Sequence, residues 1–214
     1  MPRTIWIARH ANRLDFVYPD WFTTAPMPYD PPLSEDGLVQ AQQLAGRLAD
    51  SNISHIFASP FLRTVQTAHC VAEKLQLPLK LEAGLGEWLN PEWMPRTPER
   101  LPLECLCERF PQIDPEYNSY MVPEYPETGE MALRRSGQTA KALLESFTGD
   151  LLLVGHGASV MGATTGILET PVQVNTPLCC LIKLVQQGDR WVMELNGDTS
   201  HLRREKVVPF HPKN

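Results

Sequence analysis

The stretch Ile5-Trp6-Ile7-Ala8-Arg9-His10 carries the strongest structural signal in this sequence, because a short apolar run ends directly in an arginine and a histidine. A second run of the same kind, Leu151-Leu152-Leu153-Val154-Gly155-His156, also ends in a histidine. Short apolar runs of this type are typical of buried strands. In an open α/β sheet, ligands bind at the carboxyl ends of the strands. We therefore expect the two histidines to belong to one site.

The composition is that of an ordinary soluble globular protein. The chain has 214 residues, of which 43% are hydrophobic and 21% charged, and this length suits a single domain spanning 1–214. The formal charge of -6 argues against a nucleic-acid partner held by a general positive field. A negative net charge does not exclude a local basic pocket.

The cysteines and the first residues predict a reduced, cytoplasmic chain. The five cysteines have no metal-ligand spacing, and we interpret them as small hydrophobic residues: Cys70, Cys105, Cys107, Cys179 and Cys180. Met1-Pro2-Arg3 leads directly into the first apolar run, with no signal-peptide pattern. Since no apolar run approaches the ~18 residues of a membrane helix, we expect no membrane span.

Strand and helix patterns alternate along the chain, which predicts a layered α/β domain with a largely parallel sheet. The predicted strands are Thr4–Ala8, His55–Ala58, Leu79–Leu81 and Leu151–Gly155, followed by a hairpin of Leu178–Val185 and Trp191–Leu195. The predicted helices are one capped by Ser34 and ending near Asp50, then Arg63–Leu75, Glu130–Phe147 and Ala158–Leu168. Residues 12–32 and 88–129 read as loops, and the second is long and rich in proline and aromatic residues. A segment of that length predicts a lid-like insertion.

Five motifs in register resemble the histidine phosphatase (phosphoglycerate-mutase-like) superfamily. They are Arg9-His10, the Leu33-Ser34-Glu35-x-Gly37 turn, Ser59-Pro60-x-x-Arg63-Thr64-x-Gln66-Thr67-Ala68, Glu87, and Gly155-His156-Gly157-Ala158-Ser159. Within it, Arg9-His10-x-x-Arg13-x-Asp15 and Gly84-Leu85-x-Glu87-Trp88 most resemble one branch. That branch contains the phosphatase domain of the suppressor-of-T-cell-receptor-signalling proteins and the insect ecdysteroid-phosphate phosphatases. The resemblance implies a three-layer α/β/α sandwich with a mostly parallel mixed sheet.

The resemblance also implies a phosphate pocket, and the chemistry of the residues agrees with it. Planar guanidinium groups match phosphate oxygens bidentately and keep their charge, so Arg9, Arg13 and Arg63 are the predicted phosphate ligands. His10 is the predicted nucleophile, which forms a phosphohistidine. His156 is predicted to donate hydrogen bonds to the transferred phosphoryl group and to stabilise its charge. No cofactor and no metal are expected, since no His, Cys or Asp cluster has ligand spacing.

A leaving alkoxide or phenoxide needs a proton, and Glu87 is the predicted general acid. Its position beside Trp88 and near other anions predicts a raised pKa. Glu82 and Glu92 are the nearest alternatives, and neither stands at the matching motif position.

Two residues next to the nucleophile depart from the pattern. Ala11 replaces the usual glycine and adds a methyl beside the phosphate turn, where it could trim the pocket. Asn12 stands where the branch usually has Glu. Both residues lie next to the predicted nucleophile, so the resemblance predicts the catalysis of this chain but not its substrate preference. Of the other histidines, His55 and His69 are interpreted as structural, and His201 as structural with a position that could buttress the site.

The sequence favours a metal-independent phosphomonoester hydrolase and leaves two alternatives. A mutase would transfer the phosphoryl group within a small metabolite, and Arg96, Arg100, Arg134 and Arg135 could supply the cations for its second acidic group. A non-catalytic phosphate-binding scaffold would be expected to lack the nucleophile or the acid. The substrate is expected to be a phosphorylated small molecule or a phosphotyrosine-type group, and a homodimer is possible. The aromatic residues of 12–32 and 88–129 favour an apolar or aromatic leaving group.

Overall fold

The computed structural model describes residues 2–203, and its centre is one six-stranded sheet with the order β3-β2-β4-β1-β5-β6. The strands are β1 (Thr4–Arg9), β2 (Ile53–Ala58), β3 (Leu79–Leu81), β4 (Asp150–Gly155), β5 (Leu181–Gln187) and β6 (Arg190–Asp198). The first four strands run parallel to one another, whereas β5 and β6 are antiparallel to their neighbours. The predicted mostly parallel mixed sheet is therefore confirmed.

Helices cover both faces of this sheet. They are α1 (Trp21–Thr24), α2 (Glu35–Leu48), α3 (Leu62–Leu75), α4 (Leu103–Arg109), α5 (Gly129–Ser146) and α6 (Gly157–Leu168). Side chains alternate along β1, so that Trp6 and Ala8 join the apolar core under α2 and α3. Ile5 and Ile7 join the second core, under α5 and α6. This division into two cores is the predicted three-layer α/β/α sandwich.

Local signals account for most element boundaries. Ser34 caps α2, as predicted, because its hydroxyl oxygen accepts a hydrogen bond from the Gly37 amide at 3.2 Å. The predicted hairpin is confirmed as the β5–β6 pair, and Gly188 supplies the positive φ that its turn requires. Two short helices inside predicted loops, α1 and α4, were not expected from the sequence.

The segment 88–129 has two parts with different surroundings. Its middle packs onto the sheet: Leu106 and Ile113 belong to the core beneath α2 and α3, and Ile113 bridges to Leu79 of β3. Its first residues face the other way and line a cavity, together with Gly129 at the start of α5. A lid-like role therefore stays a prediction for the first part, whereas the middle is an extension of the core.

The carboxyl ends of the parallel strands meet at one edge of the sheet. The His10 amide donates to the Gly155 carbonyl at 3.0 Å, and the Ser59 amide donates to the Val154 carbonyl at 3.0 Å. The ends of β1, β2 and β4 are thereby joined by backbone hydrogen bonds. Over residues 2–203, no helix is both long enough and apolar enough to cross a membrane.

Candidate active site

The structure brings the two predicted strand-end histidines together. β1 and β4 are adjacent, so the rings of His10 and His156 lie with their centroids 5.3 Å apart in an edge-to-face arrangement. Both side chains are fully buried. The two strand ends thus place both histidines next to each other, and their membership in one active site stays a prediction.

One hydrogen bond fixes the orientation of the His10 ring. Its Nδ1 lies 2.8 Å from the Ala11 carbonyl oxygen, and since a carbonyl can only accept, Nδ1 carries the proton. The lone pair is then on Nε2, which is buried and has no hydrogen-bond partner within residues 2–203. Burial lowers the pKa of His10 well below its ordinary value, and the nearby charges of Arg63 and His156 lower it further. The free imidazole is thus neutral and has an available nucleophilic nitrogen.

His156 has partners on both ring nitrogens. Nε2 lies 2.8 Å from the Ser59 hydroxyl, while Nδ1 lies 3.2 Å from an Arg63 guanidinium nitrogen and 3.3 Å from a Glu87 carboxylate oxygen. Burial lowers the pKa of His156 to about 4, an effect that Glu87 opposes and Arg63 assists. At neutral pH the ring is therefore neutral.

The Glu87 carboxylate lies beside the cationic Arg63 and not among anions. One oxygen is 3.1 Å from an Arg63 nitrogen, and the other accepts the Trp88 amide at 3.0 Å. Burial raises the pKa of Glu87, but His156 and Arg63 outweigh it and hold this pKa well below its ordinary value. The predicted raised pKa is wrong, because the adjacent indole suggests an apolar site while the adjacent charges, which only the fold reveals, are positive.

Two arginines present buried donor atoms that lack partners in the described chain. Arg63 is almost completely buried, and its Nε and Nη1 make no hydrogen bond, although Nη1 lies 3.8 Å from Asp30. Arg9 donates from Nη1 to the Thr176 carbonyl at 2.7 Å, and its Nε is unpartnered. Unsatisfied buried donors are costly, so their presence together favours an anion-binding site.

Arg13 lines the same cavity but is already engaged. Its Nε donates to Asp15 at 2.7 Å and its Nη2 contacts the second oxygen of the same carboxylate, while its guanidinium lies 4.4 Å from the centre of the Phe16 ring. A bidentate pair uses two of the five guanidinium donors. Arg13 can therefore contribute to an anion site only through its remaining donors.

A cavity of about 580 Å³ opens onto these charged groups. Its polar end contains Arg9, Arg13, Arg63 and Glu87. Its remaining wall is almost entirely apolar and consists of Phe16, Phe22, Tyr29, Trp88, Trp93, Met94, Gly129, Leu133, Gly157, Ala158 and Met161. The two histidines are not among its lining residues, but Arg63 and Glu87 contact both the cavity and His156, whose ring lies against that of His10.

The two residues that depart from the motif face away from this cavity. The Ala11 methyl is fully buried in the apolar core beneath α2 and α3. Asn12 donates from its side chain to Asp36 of α2 at 2.8 Å. Neither lines the cavity, so the expectation that the methyl could trim the pocket is wrong. The direction of a side chain after a strand end depends on the local turn, which the motif alone does not show.

The remaining histidines lie outside the charged cluster. His55 packs against Phe147 with ring centroids 5.0 Å apart, and His69 packs in the same way against Phe110 at 5.0 Å. His201 lies behind the nucleophile, because its Nε2 is 3.0 Å from the Cys179 carbonyl oxygen. The Cys179 amide in turn donates to the His10 carbonyl at 3.0 Å. The proposed buttressing position of His201 therefore has a direct geometric basis.

Three residues around the candidate site make contacts that the sequence did not predict. Ser59 was part of a motif without a role, and it binds His156. Arg135 and Glu127 form a buried ion pair directly behind Glu87, with 2.7 Å between Arg135 Nε and a carboxylate oxygen. Spacing gave no signal for this pair, because one member lies at the end of a loop and the other on α5. Within the described chain, no three His, Cys, Asp or Glu residues are grouped so as to hold a metal ion.

Comparison with known proteins assigns the family. The model of the histidine phosphatase superfamily (branch 1) matches residues 5–199, and the chain belongs to this family. The "Transcription factor tau 55 kDa subunit" of Saccharomyces cerevisiae is 34% identical over 93% of this chain and 56% of its own length. The "Ecdysteroid-phosphate phosphatase" of Drosophila melanogaster is 28% identical over 74% of this chain and 26% of its own length. The chain thus spans only part of these curated relatives.

A solved structure has the same fold. The ecdysone phosphate phosphatase of Bombyx mori, crystallised with tungstate, superposes with a TM-score of 0.75 at 22% identity, covering 89% of this chain and 91% of that one. The predicted phosphoglycerate-mutase-like fold and the resemblance to the superfamily are confirmed.

Proposed function

We propose that this protein is a metal-independent phosphomonoester hydrolase that acts through a phosphohistidine on His10. The observation that carries the proposal is the His10 ring, whose Nδ1 is held by the Ala11 carbonyl and whose buried Nε2 keeps its lone pair. Next to it, Arg9 and Arg63 offer unpartnered cationic donors. A neutral imidazole beside fixed cations is the arrangement that nucleophilic attack on a phosphate dianion requires.

In the first step, His10 Nε2 attacks phosphorus and the ester P–O bond breaks. The leaving oxygen takes a proton from Glu87, which becomes a carboxylate, and an N–P bond has formed. Because the pKa of Glu87 is low in the free protein, this proton arrives with the substrate as its monoanion, since a phosphomonoester has a second pKa of about 6. Arg9 and Arg63 balance the charge on the phosphoryl oxygens.

In the second step, water attacks the phosphohistidine. The Glu87 carboxylate accepts a proton from this water, the N–P bond breaks, and the electron pair returns to His10 Nε2. Protonation of His156, favoured when the bound phosphate adds negative charge beside it, would let its Nδ1 donate to the phosphoryl group. The two steps require no charged group other than the side chains named here.

The apolar wall supports a substrate with a large apolar or aromatic leaving group. Phe16, Phe22 and Trp93 surround the cavity and are each more than half exposed. Burying such surface against a leaving group is favourable at roughly 25 cal/mol per Å². A phosphorylated apolar small molecule and a phosphotyrosine-type group both meet this description. A cytoplasmic location and a homodimer stay predictions from the sequence.

The cavity lacks what a mutase acting on a small sugar acid would need. Such a substrate carries a second acidic group, which requires additional cations. Among the described residues, the cations on the cavity wall are only Arg9, Arg13 and Arg63. Of the four further arginines considered above, Arg96 pairs with Glu99, Arg100 stacks on Phe61, Arg135 binds Glu127 and Arg134 is exposed elsewhere. The geometry favours hydrolysis.

The test is hydrolysis of p-nitrophenyl phosphate in the presence of a metal chelator, by the unchanged protein and by His10→Ala. We expect nitrophenol release from the first alone, together with an acid-labile, alkali-stable phosphoenzyme after rapid quenching. Isomer exchange of a phosphoglycerate without free phosphate would identify a mutase instead. Silence in both assays from a folded protein would favour the scaffold alternative.

A further inference from the structure

Arg135 of α5 is a buried arginine whose donors are all used within the protein. Its Nε and Nη2 bind the two carboxylate oxygens of Glu127 at 2.7 and 2.8 Å. Its Nη1 donates to the carbonyls of Gly84 and Gly86 at 2.8 and 3.3 Å, and its Nη2 donates to the Glu87 carbonyl at 3.1 Å. Five contacts match the five N–H groups of a guanidinium. Arg135 therefore has no donor left for a substrate.

Glu127 holds the same loop from its other side. Its carboxylate accepts the Leu89 amide at 3.3 Å, and its own amide donates to the Leu89 carbonyl at 3.0 Å. Its carbonyl accepts the Trp88 indole N–H at 2.9 Å. Both side chains of the pair are about 95% buried, with 5% and 4% exposure. The backbone of residues 84–89 is thus clamped on both sides of Glu87.

We infer that the Arg135–Glu127 pair is a positioning device that aims the Glu87 carboxyl at the leaving-group oxygen. This inference rests on the proposed function. Glu87 follows a short 3-10 helix (Ala83–Leu85) and lies on a loop, where a side chain has little intrinsic support. A guanidinium bonded to three carbonyls of that loop fixes its path, and the bond to Trp88 fixes the adjoining cavity wall. The position of the proton donor is then set by one ion pair.

A comparison of two leaving groups distinguishes a misplaced acid from a general loss of structure. p-Nitrophenolate departs without protonation, whereas an alkoxide requires it, so a misplaced acid slows only the second reaction. The experiment compares kcat/KM for p-nitrophenyl phosphate and 3-phenylpropyl phosphate, which have similar apolar bulk. kcat/KM reports the steps up to departure of the leaving group. Phosphoenzyme hydrolysis, which is common to both substrates, does not affect it.

For Arg135→Met we expect kcat/KM to fall about 10²-fold on the alkyl ester and less than about threefold on the nitrophenyl ester. Glu127→Gln keeps one oxygen acceptor, and we expect it to lower kcat/KM about tenfold on the alkyl ester and little on the nitrophenyl ester. This variant tests the inference if Arg135→Met does not fold. Adding Arg135→Met to Glu87→Gln should cause no further loss on the alkyl ester. The matched control is Arg134→Met, an exposed neighbour on the same helix.

Equal losses on both esters in folded variants would overturn the inference and leave the pair with a structural role. Additive losses in the double variant would overturn it as well. If the unchanged protein hydrolysed neither ester, the proposed function would be refuted, and the inference with it.

Discussion

Gly37, near the start of α2, is predicted to be indispensable for activity because the loop that follows His10, the proposed nucleophile, packs against it. Its own backbone conformation does not require a glycine. A Cβ placed there would lie 2.1 Å from the Asn12 carbonyl oxygen. Since an ordinary C···O contact is about 3.3 Å, Gly37→Ala would have to displace that carbonyl by about 1.2 Å. Asn12 follows Ala11, whose carbonyl orients the His10 ring. The displacement is therefore transmitted to the nucleophile.

A misplacement of this size has effects that can be measured separately. A shift of about 1 Å in a catalytic group can lower the rate about 10²-fold, so we expect a loss of that order in kcat/KM for p-nitrophenyl phosphate. Overpacking costs about 1–3 kcal/mol, which corresponds to a fall in Tm of several degrees, roughly 2–4 °C per kcal/mol at this chain length. Differential scanning calorimetry and steady-state kinetics measure the two effects on one preparation.

Gly46, on the same helix, is the matched control. A Cβ there would meet nothing within 4 Å, so Gly46→Ala gains helix propensity without a clash. We expect it to stabilise the protein by about 0.8 kcal/mol and to leave kcat/KM unchanged. Full activity and an unchanged Tm in Gly37→Ala would refute the reasoning, and so would equal behaviour of the two variants.

Two further predictions concern acidity and the residue after the nucleophile. For an alkyl ester such as 3-phenylpropyl phosphate, whose leaving group needs a proton, kcat/KM should fall about tenfold per pH unit above the substrate's second pKa of about 6, because Glu87 has a lowered pKa and receives its proton from the substrate. It should not fall on acidification through the ordinary histidine value of about 6.5, because the lowered pKa of His10 keeps the ring neutral there; a profile rising with pH through 6.5 would contradict this. Ala11→Gly should destabilise the protein by about 1.5 kcal/mol, from a lost buried methyl and a more flexible backbone, with KM within about twofold of the original. A fivefold or larger change in KM, which corresponds to about 1 kcal/mol, would contradict this and show that Ala11 contributes to the pocket wall.

The parts of this molecule that the sequence predicts are those encoded by local patterns. The apolar runs before His10 and His156 predict β1 and β4, and Ser34 predicts the start of α2. The rule that ligands bind at the carboxyl ends of such strands then predicts that the two histidines share one site. Helix α4 escaped prediction because it has only seven residues and lies among prolines, where no sustained period can develop.

Motif positions predicted several residues that the fold brings together, but not their electrostatics. Motif positions located Glu87, but its pKa depends on Arg63 and His156, which approach it only through the fold. The same holds for Ala11, whose methyl enters the core instead of the pocket. Arg135 was considered only as a cation for a second acidic group, and its contacts with the loop around Glu87 could not be predicted, since its partners are mostly backbone carbonyls, which every sequence contains.

The backbone around His10 has a consequence for when the site can form. The His10 amide is bonded to Gly155 at the end of β4 and its carbonyl to Cys179 in the turn before β5, so His10 is held by two segments that lie far along the chain. Closing such long loops is entropically costly and slow compared with forming local helices. During synthesis, residue 10 therefore waits for some 170 further residues before it has its partners. A partly made chain therefore carries His10 without the hydrogen bonds that hold its backbone in place, and the candidate site can form only after the segment up to β5 has been made.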